Sequence, residues 1–143
     1  MNGLGRILYA EDSENDIELT LAAFEESKLA NPIDVVRDGE EALDYLLCKN
    51  KYARREKTNP LFVLLDLKMP KVDGIEVLKT IREDPLLKQV PVIMLTSSQM
   101  ESDVITSYEL GVNAFVVKPI DFLEFMQTVK SIGHFWAVVN KSL

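Results

Sequence analysis

Residues 61–74 read LFVLLDLKMPKVDG: an apolar run of five residues, then Asp66, then a stretch containing Pro70 and Gly74. So short an apolar run, closed by turn formers, reads as a strand and not as a helix, which needs about ten residues or more. Leu61–Leu65 is therefore taken as a strand, with Asp66 the first polar residue at its carboxyl end. Pro70 and Gly74 shape the loop that follows.

Similar apolar runs occur at Arg6–Ala10, Ile33–Arg37, Val90–Leu95 and Ala114–Val117, separated by longer amphipathic segments. Strands alternating with helices predict an α/β fold, a parallel sheet wrapped by crossover helices. Ser13 with Asp16, and Asp38 with Glu41, have the spacing of capping boxes, so helices are expected to start near Glu14 and Gly39. Ile17, Leu21 and Phe24 form the inner stripe of the first helix, and Ile75, Leu78 and Ile81 that of the third. A fourth helix over Ser102–Leu110 has only Val104, Ile105 and Tyr108 as anchors and is expected to be the least firmly held. The last helix, about Phe122–Val139, carries a stripe of Phe122, Phe125, Met126, Val129, Ile132 and Trp136. Phe135 and Val138 lie off that stripe, where an apolar pair marks either a self-association face or a patch covered by the tail. His134, the sole histidine, reads as a packing residue and receives no function.

A length of 143 residues fits one domain, 1–143 with a core of about 6–139, and leaves no room for a second. The net charge of -7 opposes binding to nucleic acid or anionic lipid, both of which require clustered Lys and Arg. The one basic cluster, Lys49, Lys51, Arg54, Arg55 and Lys57, reads as a solvated loop. Cys48 is the sole cysteine, which excludes an intrachain disulfide. No stretch approaches the roughly 18 apolar residues of a membrane span, and no signal peptide is evident. A cytoplasmic protein is expected.

Four strands hand over to polar residues where their apolar runs end: ILYA to Glu11 and Asp12, LFVLL to Asp66, VIML to Thr96, AFVV to Lys118. In an open parallel sheet these ends share one edge, where ligands bind. Singly, each residue reads as a turn former or helix cap; together they make a site. Three carboxylates brought close would repel unless a hard divalent cation joined them, and Mg²⁺ suits because it accepts both carboxylate and phosphate oxygens. Lys118 adds a positive charge and Thr96 a hydroxyl donor. The set forms a cradle for a phosphoryl group moving onto Asp66.

The motifs YAEDSEND, LLDLKMPKVDG, VIMLTSS and FVVKP, taken jointly, resemble the receiver domains of two-component response regulators over essentially the whole chain. The resemblance implies a doubly wound, flavodoxin-like (βα)5 fold with strand order 2-1-3-4-5. It further implies that Asp66 is phosphorylated by a histidine kinase. Asp12, Asp66 and the backbone carbonyl of Lys68 would bind Mg²⁺, with Glu11 acting through a metal-bound water. Thr96 and Lys118 would bind phosphoryl oxygens, and Phe115 would act with Thr96 as a switch through packing alone, since it lacks a hydroxyl. The Lys118–Pro119 peptide is expected to be cis on the same ground.

Two departures stand out. The acidic pair is Glu11–Asp12 where many receivers have two Asp, and Lys68 stands two residues beyond the acceptor. An ammonium there could hinder or orient the hydrolytic water, which makes Lys68 a candidate for tuning phosphoryl lifetime. A haloacid-dehalogenase-like phosphohydrolase would want Asp at that position, and a nucleotide switch would want a Gly-Lys-Ser/Thr loop, which is absent. A receiver-like module that accepts no phosphate is opposed by the retained acceptor, metal and lysine positions. The chain is thus expected to signal and not to turn over substrate, its only catalysis being its own phosphorylation and dephosphorylation. LTLAAFEESKLANPIDVVRDGEEALDYL and the basic insertion after it resemble small regulators paired with phytochrome-type kinases. Expected partners are such a kinase and a downstream protein target, with a homodimer through the last helices.

Overall fold

The computed structural model describes residues 5–26, 30–96, 106–118, 121, 123–124 and 127. Five strands, β1 (Ile7–Ala10), β2 (Ile33–Val36), β3 (Phe62–Asp66), β4 (Val92–Thr96) and β5 (Ala114–Val117), alternate with α1 (Glu14–Glu26), α2 (Gly39–Leu47) and α3 (Gly74–Glu83). They form one parallel sheet in the order β2-β1-β3-β4-β5. The order reverses at β1, which passes first to β2 on one side and then to β3 on the other. That places the crevice between the carboxyl ends of β1 and β3.

β1, β3 and β4 are buried along their whole length, which explains their unbroken apolar character. Alternate side chains feed two cores. One holds Leu8, Ala10, Val63, Leu65 and Met94 under α2 and α3; the other holds Ile7, Tyr9, Phe62, Leu64 and Ile93 against Ile17 and Phe24 of α1. Thr20 is buried on that face of α1 as well, and Val77 joins Leu78 and Ile81 on α3. The fourth strand begins later than its apolar run. Val90 belongs to a turn, its N–H donating to Leu87 O at 2.9 Å, and Pro91 has no N–H to offer a ladder.

Both helix starts fall at the expected residues, but each capping box is only half made. The N–H of Asp16 donates to Ser13 Oγ at 3.2 Å and that of Glu41 to Asp38 Oδ1 at 2.7 Å. The return bonds go elsewhere: Glu41 accepts from the N–H of Arg37, one residue before the cap, and the Asp16 carboxylate turns to Lys118. The basic loop is only partly solvated. Lys49, Arg54 and Lys57 are exposed. Lys51 pairs with Glu41 at 2.9 Å, and the Arg55 guanidinium lies 4.0 Å over the Tyr45 ring while donating to Tyr45 O.

Of the fourth helix, residues 106–109 are described, and there Ser107 is buried while the expected anchor Tyr108 is 52% exposed. The stripe and the Phe135–Val138 pair of the last helix, His134 and the Lys118–Pro119 peptide lie outside the described residues. No described helix is long and apolar enough to cross a membrane.

Candidate functional site

Glu11 stands one residue beyond β1, yet its N–H donates to Val36 O at 3.0 Å, so the sheet fixes its backbone. Its side chain has no solvent access, and a carboxylate so placed must find donors. Lys118 Nζ donates to both Glu11 oxygens at 3.0 and 3.1 Å, and the Tyr9 hydroxyl and the Ser13 N–H each donate to one of them at 3.3 Å. Tyr9 reaches it because residues two apart on a strand point to the same side.

Asp66 closes β3 and is 4% exposed. Asp12 is exposed at the mouth. Each of Glu11, Asp12 and Asp66 offers a carboxylate oxygen within 4.8 Å of the others. These are hard oxygen donors without a histidine or thiolate among them, a set that fits a divalent cation of the Mg²⁺ or Mn²⁺ kind. Opposite them, Lys118 Nζ lies 3.3 Å from Asp66 Oδ1 and 2.8 Å from Asp16 Oδ2.

Electrostatics follow from this crowding. Burial, and then the hydrogen bond and charge of Glu11, push the Asp66 carboxyl up to about 7, against the opposing pull of Lys118. Burial works to lower the Lys118 ammonium, but its bonds to Asp16 and Glu11 and the Asp66 charge prevail and hold it above its usual range. The Tyr9 hydroxyl, raised chiefly by burial, remains a neutral donor to Glu11.

Two glycines let the surrounding loops close in. A Cβ on Gly74 would sit 2.5 Å from the carbonyl oxygen of Asp66, so only glycine lets α3 start directly behind the acidic residue. At Gly39 a Cβ would meet Val72 O at 1.8 Å, so the start of α2 presses still more closely on the loop after β3.

Glu11, Asp12, Asp66 and Lys118 thus come together as the strand ends predict. Thr96 is 1% exposed at the end of β4, and its carbonyl accepts from the Lys118 N–H at 2.8 Å. Lys68 carries an exposed side chain on the loop leaving β3. Phe115 pairs with Met94 across β4 and β5, is half-buried, and its ring centroid lies 6.0 Å from that of Tyr108. Sequence reasoning misses Asp16 and Tyr9. The available signals are the position of Asp16 in the first turn of a helix that begins just past the acidic pair, and a hydroxyl two residues before Glu11 in an otherwise apolar strand.

A profile of the response regulator receiver domain matches residues 7–130. The solved bacteriophytochrome response regulator RtBRR is 55% identical, superposes with a TM-score of 0.88, and is matched over 96% of this chain and 83% of its own. Response regulator Rcp1 of Synechocystis is 38% identical over 91% of this chain and 87% of its own length. Its Mn²⁺-bound structure superposes with a TM-score of 0.76 over 92% and 94% of the two chains. The phosphorylated cyanobacterial phytochrome response regulator RcpA is 39% identical with a TM-score of 0.79, over 94% of this chain and 95% of its own.

Proposed function

Because this chain belongs to the response regulator receiver domain family, we propose that Asp66 accepts a phosphoryl group from a phosphorylated histidine kinase in a Mg²⁺-dependent reaction. The observation that carries this reading is the buried Asp66 carboxylate, clustered with Glu11 and Asp12 and faced by Lys118 at 3.3 Å. Asp12, Asp66 and the Lys68 backbone carbonyl would hold the cation, with Glu11 acting through water. The cation would offset the charge gathering on the carboxylates and on the transferred group.

An Asp66 oxygen forms the new bond to phosphorus while the bond to the kinase's histidine nitrogen breaks, giving an acyl phosphate on Asp66 and a free imidazole on the kinase. Lys118, already in the pocket, then has an anionic phosphoryl oxygen as a new partner, and the Thr96 hydroxyl donates to another. Drawing Thr96 toward the phosphoryl group frees space that the half-buried Phe115 ring can enter by packing. The altered face near β5 would be what a downstream protein reads. Tyr108 and Val117, both partly exposed there, support a second copy of the chain as one such partner.

The near full-length similarity to phytochrome response regulators supports a phytochrome-type kinase as the donor. Incubation with a radiolabelled, phosphorylated kinase of that type is expected to move the label onto this chain within the time needed for self-transfer controls. An Asp66→Asn chain that takes the label equally well would refute the assignment. Lys68→Asn is expected to shorten the phosphoryl lifetime severalfold by uncovering the acyl phosphate to water, and an unchanged dephosphorylation rate would remove Lys68 from the mechanism.

A further inference from the structure

The Lys118 ammonium donates to Glu11 and Asp16 and lies 3.3 Å from Asp66 as an ion pair, so three carboxylates share its charge. Two of these, Glu11 and Asp66, also belong to the acidic cluster suited to a divalent cation. The same two carboxylates therefore have two positive claimants. Asp16 alone of the three lies outside the cluster, and it makes the shortest contact, 2.8 Å from Oδ2 to Nζ.

The Asp16 backbone is well fixed for this task. Its N–H donates to Ser13 Oγ at 3.2 Å within the first turn of α1. The side chain, 31% exposed, gives up the return bond of a capping box to reach across to Lys118. A helix-start acid that leaves its own helix for a lysine 102 residues further on is serving that lysine.

We propose that Asp16 is a positioning residue for Lys118: it is the carboxylate that keeps the ammonium balanced and in place when Glu11 and Asp66 turn to a divalent cation. This rests on the reading of Glu11, Asp12 and Asp66 as the cation site. Without Asp16, Lys118 is balanced by Glu11 and Asp66 alone. Releasing them would then leave a nearly buried ammonium without a counter-charge, which is costly. Asp16 thereby sets how readily the site takes its cation, and through Lys118 it connects the site to the first turn of α1.

The test is Mg²⁺ affinity measured by calorimetry on the whole chain and its variants. Glu14→Gln, in the same helical turn but exposed and paired with Arg37, removes one negative charge without touching Lys118. Asp16→Asn is expected to weaken Mg²⁺ binding by about three- to tenfold beyond Glu14→Gln, the range typical of directly coupled charged neighbours. Asp16→Glu, which keeps the charge, is expected to recover most of the affinity. With Lys118→Met in the background, Asp16→Asn is expected to shift affinity no more than Glu14→Gln does. The proposal is overturned if Asp16→Asn matches Glu14→Gln, if Asp16→Glu binds as poorly as Asp16→Asn, or if the Asp16→Asn effect is undiminished in Lys118→Met. Absence of Mg²⁺ binding in the unaltered chain would instead overturn the cation site itself.

Discussion

The buried Asp66 carboxyl is raised from 3.8 to about 7, so the folded chain favours the protonated acid more than the unfolded chain does. For a raised carboxyl the favourable contribution is complete below its ordinary value and disappears as pH climbs through about 7. In the absence of divalent cation, Asp66→Asn is therefore expected to be more stable than the parent at pH 8 by about 1–3 kcal/mol, with the gap closing toward pH 4. Urea unfolding at the two pH values checks this, and an Asn variant less stable at pH 8 would contradict it. Added Mg²⁺ is expected to stabilise the parent and not the variant, because the cation relieves the same repulsion. Much of this residue-scale logic is legible in the sequence: Glu11, Asp12, Asp66 and Lys118 each end an apolar run. Asp16 is not, because its neighbours predict a helix cap and only the folded chain brings Lys118 within reach.

At the scale of elements, the site depends on how tightly α3 seats behind β3. Gly74→Ala would drive a methyl group into the Asp66 carbonyl and to 2.9 Å from Leu67 Cα, backbone atoms that cannot swing aside. A loss of about 2–3 kcal/mol is expected, together with slower phosphorylation, because the strand end carrying Asp66 must move. Unchanged stability would show that α3 can retreat without cost. The other end of α3 is tied down by Arg82. Its guanidinium donates to Val90 O at 2.6 Å, Gly111 O at 2.9 Å and Asn113 Oδ1 at 2.9 Å, linking α3 to the segments that enter β4 and β5. Arg82→Ala is expected to cost about 2–3 kcal/mol in denaturant unfolding by removing the donor to Val90 O and Gly111 O, while Asn113 Oδ1 keeps the Val92 N–H. A loss within experimental error would mean that water replaces the guanidinium. Periodicity shows the existence and type of these elements, whereas Arg82 reads as an ordinary polar position on a helix. The Val90 boundary is likewise misread, since apolar character continues through the turn before Pro91.

For the molecule as a whole, the parallel order β2-β1-β3-β4-β5 gathers residues from position 11 to position 118 at one edge of the sheet. The opposite, amino-terminal side is held by polar contacts such as Arg6 with Asp34 at 2.7 Å, an acid that also accepts from the Tyr45 hydroxyl. Arg6 holds the Asp34 carboxyl below its usual range, so its contribution is present above the ordinary carboxylate pKa and is lost as pH falls through the lowered value. Because Arg6 is half exposed, Asp34→Asn is expected to cost only about 1 kcal/mol at neutral pH, and less in acid. A cost that grew on acidification would reverse the sign and refute the linkage. The two ends thus respond oppositely to pH, the structural end weakening in acid and the acidic cluster relaxing there. Whether Asp66 is the phosphoacceptor is decided by intact-mass and peptide-mapping measurements after incubation with acetyl phosphate. One added phosphoryl group is expected, on Asp66, requiring Mg²⁺, removed by hydroxylamine and absent from Asp66→Asn; a phosphoryl group mapped to another residue, or none in the presence of Mg²⁺, would show that Asp66 is not the acceptor.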